Sequence, residues 1–165
     1  MLMTQTHLKQ RKWGKQADSA RTHLQGDALC IRCEAVYHDQ RWSIDSNLRS
    51  RLEATPSTLH VLCTGCVLLQ ELLIEGTVTL RRTLDWTLER CNEAIRMCRH
   101  EEERLHQKDP LHRITSVDID DTQLEITTTT EFLSRHLARR LERAFGCRAM
   151  FHQAPGEKYV RIELF

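Results

Sequence analysis

Cys30-Ile31-Arg32-Cys33 and, further on, Cys63-Thr64-Gly65-Cys66 decide how this chain is read. Two residues between cysteines let both sulfurs reach one ion from a tight turn. Two such hooks supply the four soft thiolates that a tetrahedral zinc ion prefers. A single Cys-x-x-Cys would suit a redox dithiol, which needs one exposed cysteine of low pKa. The second pair tips the reading to one structural zinc ion held by Cys30, Cys33, Cys63 and Cys66. Such a site is closed: no position is left for water, so the metal has nothing to activate. His38 is near enough in sequence to be an alternative ligand, but four cysteines already fill the shell. Four thiolates can also hold iron.

Working outward, residues 27–76 form a metal module in which residues 34–38 and 41–44 flank Asp39-Gln40 as a short β-hairpin with its aromatics over the metal. Residues 46–53 suit a brief helix through Leu48 and Leu52 that ends before Pro56. The second hook leads into an apolar helical face over residues 67–74, closed by Gly76. Knuckle, hairpin and ligand-bearing helix make a zinc ribbon or treble-clef-like plan. A unit this small cannot bury enough surface alone, so the metal supplies much of its folding energy.

Val78-Thr79-Leu80 reads as an extended link opening a segment, 77–108, dominated by a long amphipathic helix. From Thr83 onward Leu84, Leu88, Cys91, Ile95, Cys98, Glu102 and Leu105 recur in alternating steps of four and three, a helix with one narrow apolar seam. Thr83 suits its cap, Asp85 its positive end, and Pro110 lies beyond its stop. Cys91 and Cys98 on the seam read as buried small hydrophobes. The seam over 84–105 suits one partner: the C-terminal sheet, the metal module, a second copy or another protein.

Residues 109–165 read as a ββαββ domain, one helix on an antiparallel sheet, which makes the chain an α+β protein. Strands at 113–119 and 124–128 turn at Asp120-Asp121-Thr122, and strands at 147–153 and 158–164 turn at Pro155-Gly156. Between them a helix over 131–145 stops at Gly146, with Thr128 and Glu131 at capping-box spacing. Leu133, Leu137, Leu141 and Ala144 form its buried stripe; Arg135, Arg139 and Arg143 line the opposite face. Like charges four apart weaken a helix by a few tenths of a kcal/mol each, roughly. Such a row is tolerated because it is solvated, or retained because it meets phosphates.

The 165 residues carry 24 basic and 23 acidic side chains, so any attraction to a polyanion must be local. Only the arm over 1–26 is distinctly basic. Its Lys9, Arg11, Lys12 and Lys15 suit phosphate contact and Trp13 suits stacking on a base. Arg81 and Arg82 are expected to join Arg135, Arg139 and Arg143 on the same RNA-binding surface. No aromatic pair stands on a central strand, so this is no RNA-recognition-motif sheet. No apolar run is long enough to span a bilayer and the N-terminus lacks a signal-peptide core, so a cytoplasmic protein without membrane contact is expected. Seven cysteines, four in metal-type pairs, agree with a reducing compartment. Walker, Gly-x-Gly-x-x-Gly, Gly-x-Ser-x-Gly and His-Glu-x-x-His motifs are all missing, and His100 beside Glu101 reads as a solvated helix face. Neither an enzyme nor a small-molecule substrate is expected.

At Cys30-x-x-Cys33, Ala35-Val36-Tyr37-His38, Arg41-Trp42 and Cys63-x-x-Cys66, with Glu101-Glu102-Glu103-Arg104 and Thr127-Thr128-Thr129, the chain resembles an uncharacterised bacterial four-cysteine zinc-binding family. Its layout also looks like the front half of the archaeal and eukaryotic adaptor that escorts the large ribosomal subunit to the cytoplasm. Glu34 stands where a zinc hook usually has glycine, and the chain ends at Phe165 without the adaptor's further domains, so no export role carries over. What the likeness implies is contact with the ribosome or ribosomal RNA. The expectation is a non-catalytic zinc protein docking on structured RNA, most plainly the ribosome, in assembly, quality control or hibernation. The alternative is a zinc-stabilised protein–protein adaptor that touches no RNA.

Overall fold

The computed structural model describes residues 23–82 and 86–165. The predicted arm contacts Lys9, Arg11, Lys12, Lys15 and Trp13 lie outside the described residues, as do Thr83, Leu84 and Asp85. The described chain forms a mixed α+β structure with two mixed sheets and four helices.

The first sheet has the order β3-β2-β1-β4, from β1 (Ala28–Cys30), β2 (Ala35–His38), β3 (Arg41–Ile44) and β4 (Leu59–Val61). β2 and β3 form the expected hairpin, turning through Asp39 and Gln40 at φ 49° and 61°. Two consecutive left-handed residues match the turn to the strand twist. Helix α1 (Ser46–Glu53) starts where the Asp45 carboxylate accepts from the Leu48 amide at 2.9 Å. Leu48 and Leu52 cover Leu29 and Val36 on one face of the sheet. On the other face Cys30 and Ala35 meet Cys63 and Cys66, with Trp42 packed beside them. Alternation along the strands thus separates a small apolar core from a sulfur cluster. The unit holds more than knuckle, hairpin and helix, because β4 adds a strand parallel to β1.

Helix α2 (Thr64–Gln70) is shorter than the periodicity suggests. It ends at Glu71, and Leu72 at φ 51° turns the chain so that the Leu73 amide reaches the Leu68 carbonyl at 3.0 Å. Gly76, expected as the stop, instead opens β5 (Gly76–Arg81). A Cβ there would strike the Ser134 side chain, so the strand comes this close to the helix above it only as glycine.

That strand corrects the largest expectation. Residues 76–81 are no link: they form the centre of a five-stranded sheet of order β6-β7-β5-β9-β8, with β6 (Ile114–Ile119), β7 (Gln123–Thr128), β8 (Ala149–His152) and β9 (Val160–Leu164). β5 runs antiparallel to β7 and parallel to β9, so the sheet is mixed rather than antiparallel. Helix α3 (Leu88–His106) carries the chain across the sheet from β5 to β6, leaving room for β7 between them.

The Thr87 side chain caps α3 by accepting from the Arg90 amide at 3.3 Å. Its buried residues are Cys91, Ala94, Cys98, Glu101 and Leu105, while Leu88 is exposed. The seam is therefore covered within the chain, by the sheet and by α4 (Glu131–Phe145). Thr130 rather than Thr128 caps α4, and Gly146 closes it at φ 69°. Leu133, Leu137 and Leu141 are fully buried as expected; Ala138 takes the place assigned to Ala144, which is exposed.

Candidate metal centre and the helical cation cluster

The metal hooks sit on opposite structural supports. Cys30 ends β1, and the backbone between Cys30 and Cys33 turns back into β2, held by Arg49 of α1 donating to the Cys33 carbonyl at 3.2 Å. Glu34 needs no left-handed backbone there, so its departure from glycine is harmless. Cys63 caps α2, its sulfur accepting from the Cys66 amide at 3.4 Å, and Cys66 lies in the first turn.

The sulfurs of Cys30, Cys33, Cys63 and Cys66 all lie within 4.8 Å of one another. Cys30 and Cys66 are separated by 3.8 Å and Cys33 and Cys63 by 3.6 Å. A tetrahedron with metal–sulfur bonds of about 2.3 Å has edges of about 3.8 Å, so the donor set fits a zinc-sized ion. Amides of Arg32 and Cys63 point at the Cys30 sulfur at 3.5 and 3.3 Å, the kind of donor that stabilises thiolate charge. Hydrogen bonds from Cys63 and Cys66 drive the Cys33 thiol towards its thiolate, against burial and with help from His106. The same bonds, seen from the donors, push Cys66 up to about 12 and Cys63 upward as well. A divalent ion binds thiolates, so loading the cluster would displace the protons its sulfurs carry. His38 is not part of it: its Nδ1 meets Asp27 at 2.7 Å, and that carboxylate, then Asp39, raises its pKa.

The sequence did not single out His106, from the last turn of α3. Its Nε2 faces the Arg113 guanidinium at 3.3 Å, while its buried Nδ1 closes no hydrogen bond with the chain. An unsatisfied buried donor costs about 1–3 kcal/mol. Only tertiary contact brings it here, since α2 abuts the α3–β6 connection. A Cβ on Gly65 would strike the Pro110 carbonyl, and Leu111 packs on Leu68 and Leu73.

A second cluster joins the two long helices. Glu101, read as part of a solvated face, is 5% exposed at its side chain. It takes Arg104 at 2.7 Å, His136 at 2.7 Å and Arg140 at 3.0 Å. Burial pushes this carboxyl up, but the hydrogen bonds from His136 and Arg104 and the charges of Arg104 and Arg140 outweigh it and hold it at about 2.

The predicted arginine surface divides. Arg135 is bound to Glu131 at 2.7 Å, to Gln153, and lies over the Phe151 ring. Arg81 projects from the sheet face opposite the helices and pairs with Glu163 at 3.4 Å; Arg82 donates to the Asp120 carbonyl at 2.7 Å. Strand alternation thus removes Arg81 from the surface it was expected to share. Arg139 and Arg143 are exposed and unpaired, one helical turn apart beside Arg140. Among the described residues no helix is long and apolar enough to cross a membrane.

No known protein family, curated protein or solved structure matches this chain. The resemblance drawn from the cysteine pattern therefore rests on the cysteine cluster alone.

Proposed function

We propose that this is a non-catalytic cytoplasmic protein whose front unit is folded by one zinc ion and whose helical layer docks on structured RNA, with the ribosome as the leading target. The four-sulfur cluster supports the first half: its spacing suits a closed structural site with no ligand position for chemistry. The observation that carries the second half is the cationic face of α4. Arg139 and Arg143 have no acidic partner, and Arg104 and Arg140 together outnumber the single carboxylate of Glu101 that they share. Free guanidinium groups at one-turn spacing match phosphates along a backbone, whereas a solvated face of no function is usually laced with opposite charge.

The test is binding of a structured ribosomal RNA fragment across a salt series. Replacing both Arg139 and Arg143 by Gln should weaken binding and reduce the slope of log affinity against log salt by roughly 1.5–2. Arg135→Gln should do neither, because that side chain is already engaged. A chain that binds no RNA at low salt and sediments free of ribosomes overturns the RNA reading and leaves the adaptor.

A further inference from the structure

We infer that His106 belongs to the metal centre as its outer hydrogen-bond donor, its Nδ1–H directed to the Cys33 sulfur, so that one ion joins the end of α3 to the cysteine hooks. The inference rests on the metal reading above and deepens it.

The argument begins at the other ring nitrogen. Arginine has donors only and stays charged, so the Arg113 contact at 3.3 Å obliges Nε2 to accept. Arg113 is itself steered by Glu102, whose Oε1 lies 3.6 Å away and also takes the Ile114 amide at 2.7 Å. With Nε2 accepting, the proton sits on Nδ1, which makes it a donor buried from water with no acceptor engaged. Imidazole donors are seldom left so. The neighbour that suits it is Cys33, the hook side chain within hydrogen-bonding reach of the His106 ring. Cys33 is also the one hook sulfur that is only half-buried; Cys30, Cys63 and Cys66 are buried. His106 lies in the last turn of α3, and the chain just beyond it, at Pro110, lies against Gly65 of the second hook.

The experiment uses the full chain loaded with zinc or with cobalt(II) as a spectroscopic stand-in. Wild-type protein should show a four-sulfur cobalt spectrum. His106→Phe should weaken zinc binding in a chelator competition by about tenfold, the low end for loss of an outer-shell partner. It should move the sulfur-to-cobalt band to longer wavelength and speed iodoacetamide alkylation of Cys33 several-fold, with Cys30, Cys63 and Cys66 unchanged. His106→Asn, which offers an amide N–H near the position of Nδ1, should restore the wild-type values; His106→Gln should not. A three-sulfur, one-nitrogen spectrum in the wild type would make His106 a ligand and overturn the inference. So would equal behaviour of the Asn and Gln variants, or a Phe variant that matches the wild type. Failure of the wild type to take up either metal sinks the metal reading itself, and this inference with it.

Discussion

The two units of this protein have cores of different make-up. Around the five-stranded sheet, seventeen buried residues, from the strands, both long helices and Trp86 ahead of α3, form one continuous core. Beneath α1 the corresponding core has four, Leu29, Val36, Leu48 and Leu52. Four apolar side chains contribute at most about 12 kcal/mol before entropy is counted. A structural zinc site alone is worth about 10–16 kcal/mol. The cysteine hooks occupy one face of the small sheet, where four sulfurs placed to hold a metal ion lie in the position of apolar side chains.

The sharpest way to break this comparison is to remove the metal. A strong chelator, or Cys30→Ser with Cys63→Ser, should release the amides of β1 to β4 to fast hydrogen exchange while those of β5, β7 and β9 stay protected. One shared transition for both sets would show that the units fold as one. Next in size, Leu137→Ala should open a cavity in the large core and cost about 2–5 kcal/mol in denaturant melts. Zinc affinity should be unmoved; a parallel loss of metal would erase the distinction.

The smallest effect belongs to Glu101. Its carboxyl is depressed to about 2 from an ordinary 4.5, so the stability it adds is complete above pH 4.5 and disappears as pH falls towards 2. Glu101→Gln should cost about 1–3 kcal/mol at neutral pH, held to that range because Arg104 and Arg140 are half exposed and can turn to water. It should also flatten the acid limb of the stability profile. A variant with the same acid dependence as the wild type would mean that the cluster adds nothing to the large unit.

What could be read from the chain beforehand follows the range of the interactions. The hooks are local geometry, and spacing alone brings four sulfurs together. The helix 131–145 is legible because its leucine stripe and Gly146 are local as well. Val78-Thr79-Leu80 reads as extended, but its place in the sheet is not legible because its partners, β7 and β9, are remote in sequence. The start of α3 was misplaced because Leu84 and Leu88 continue the step pattern, although Leu88 faces water. His106 carries no local signal; it becomes interesting only when folding brings it to Cys33 and Arg113.

The parallel pairing of β5 with β9 sets a schedule for synthesis. Gly76 and Leu80 must wait for Val160 and Leu164 before the sheet has its middle, so the larger half cannot close until Leu164 has been made. The hooks are both translated by Cys66, and an ion could organise them long before that. Vectorial folding would then start with the half that has the weaker hydrophobic claim to stability.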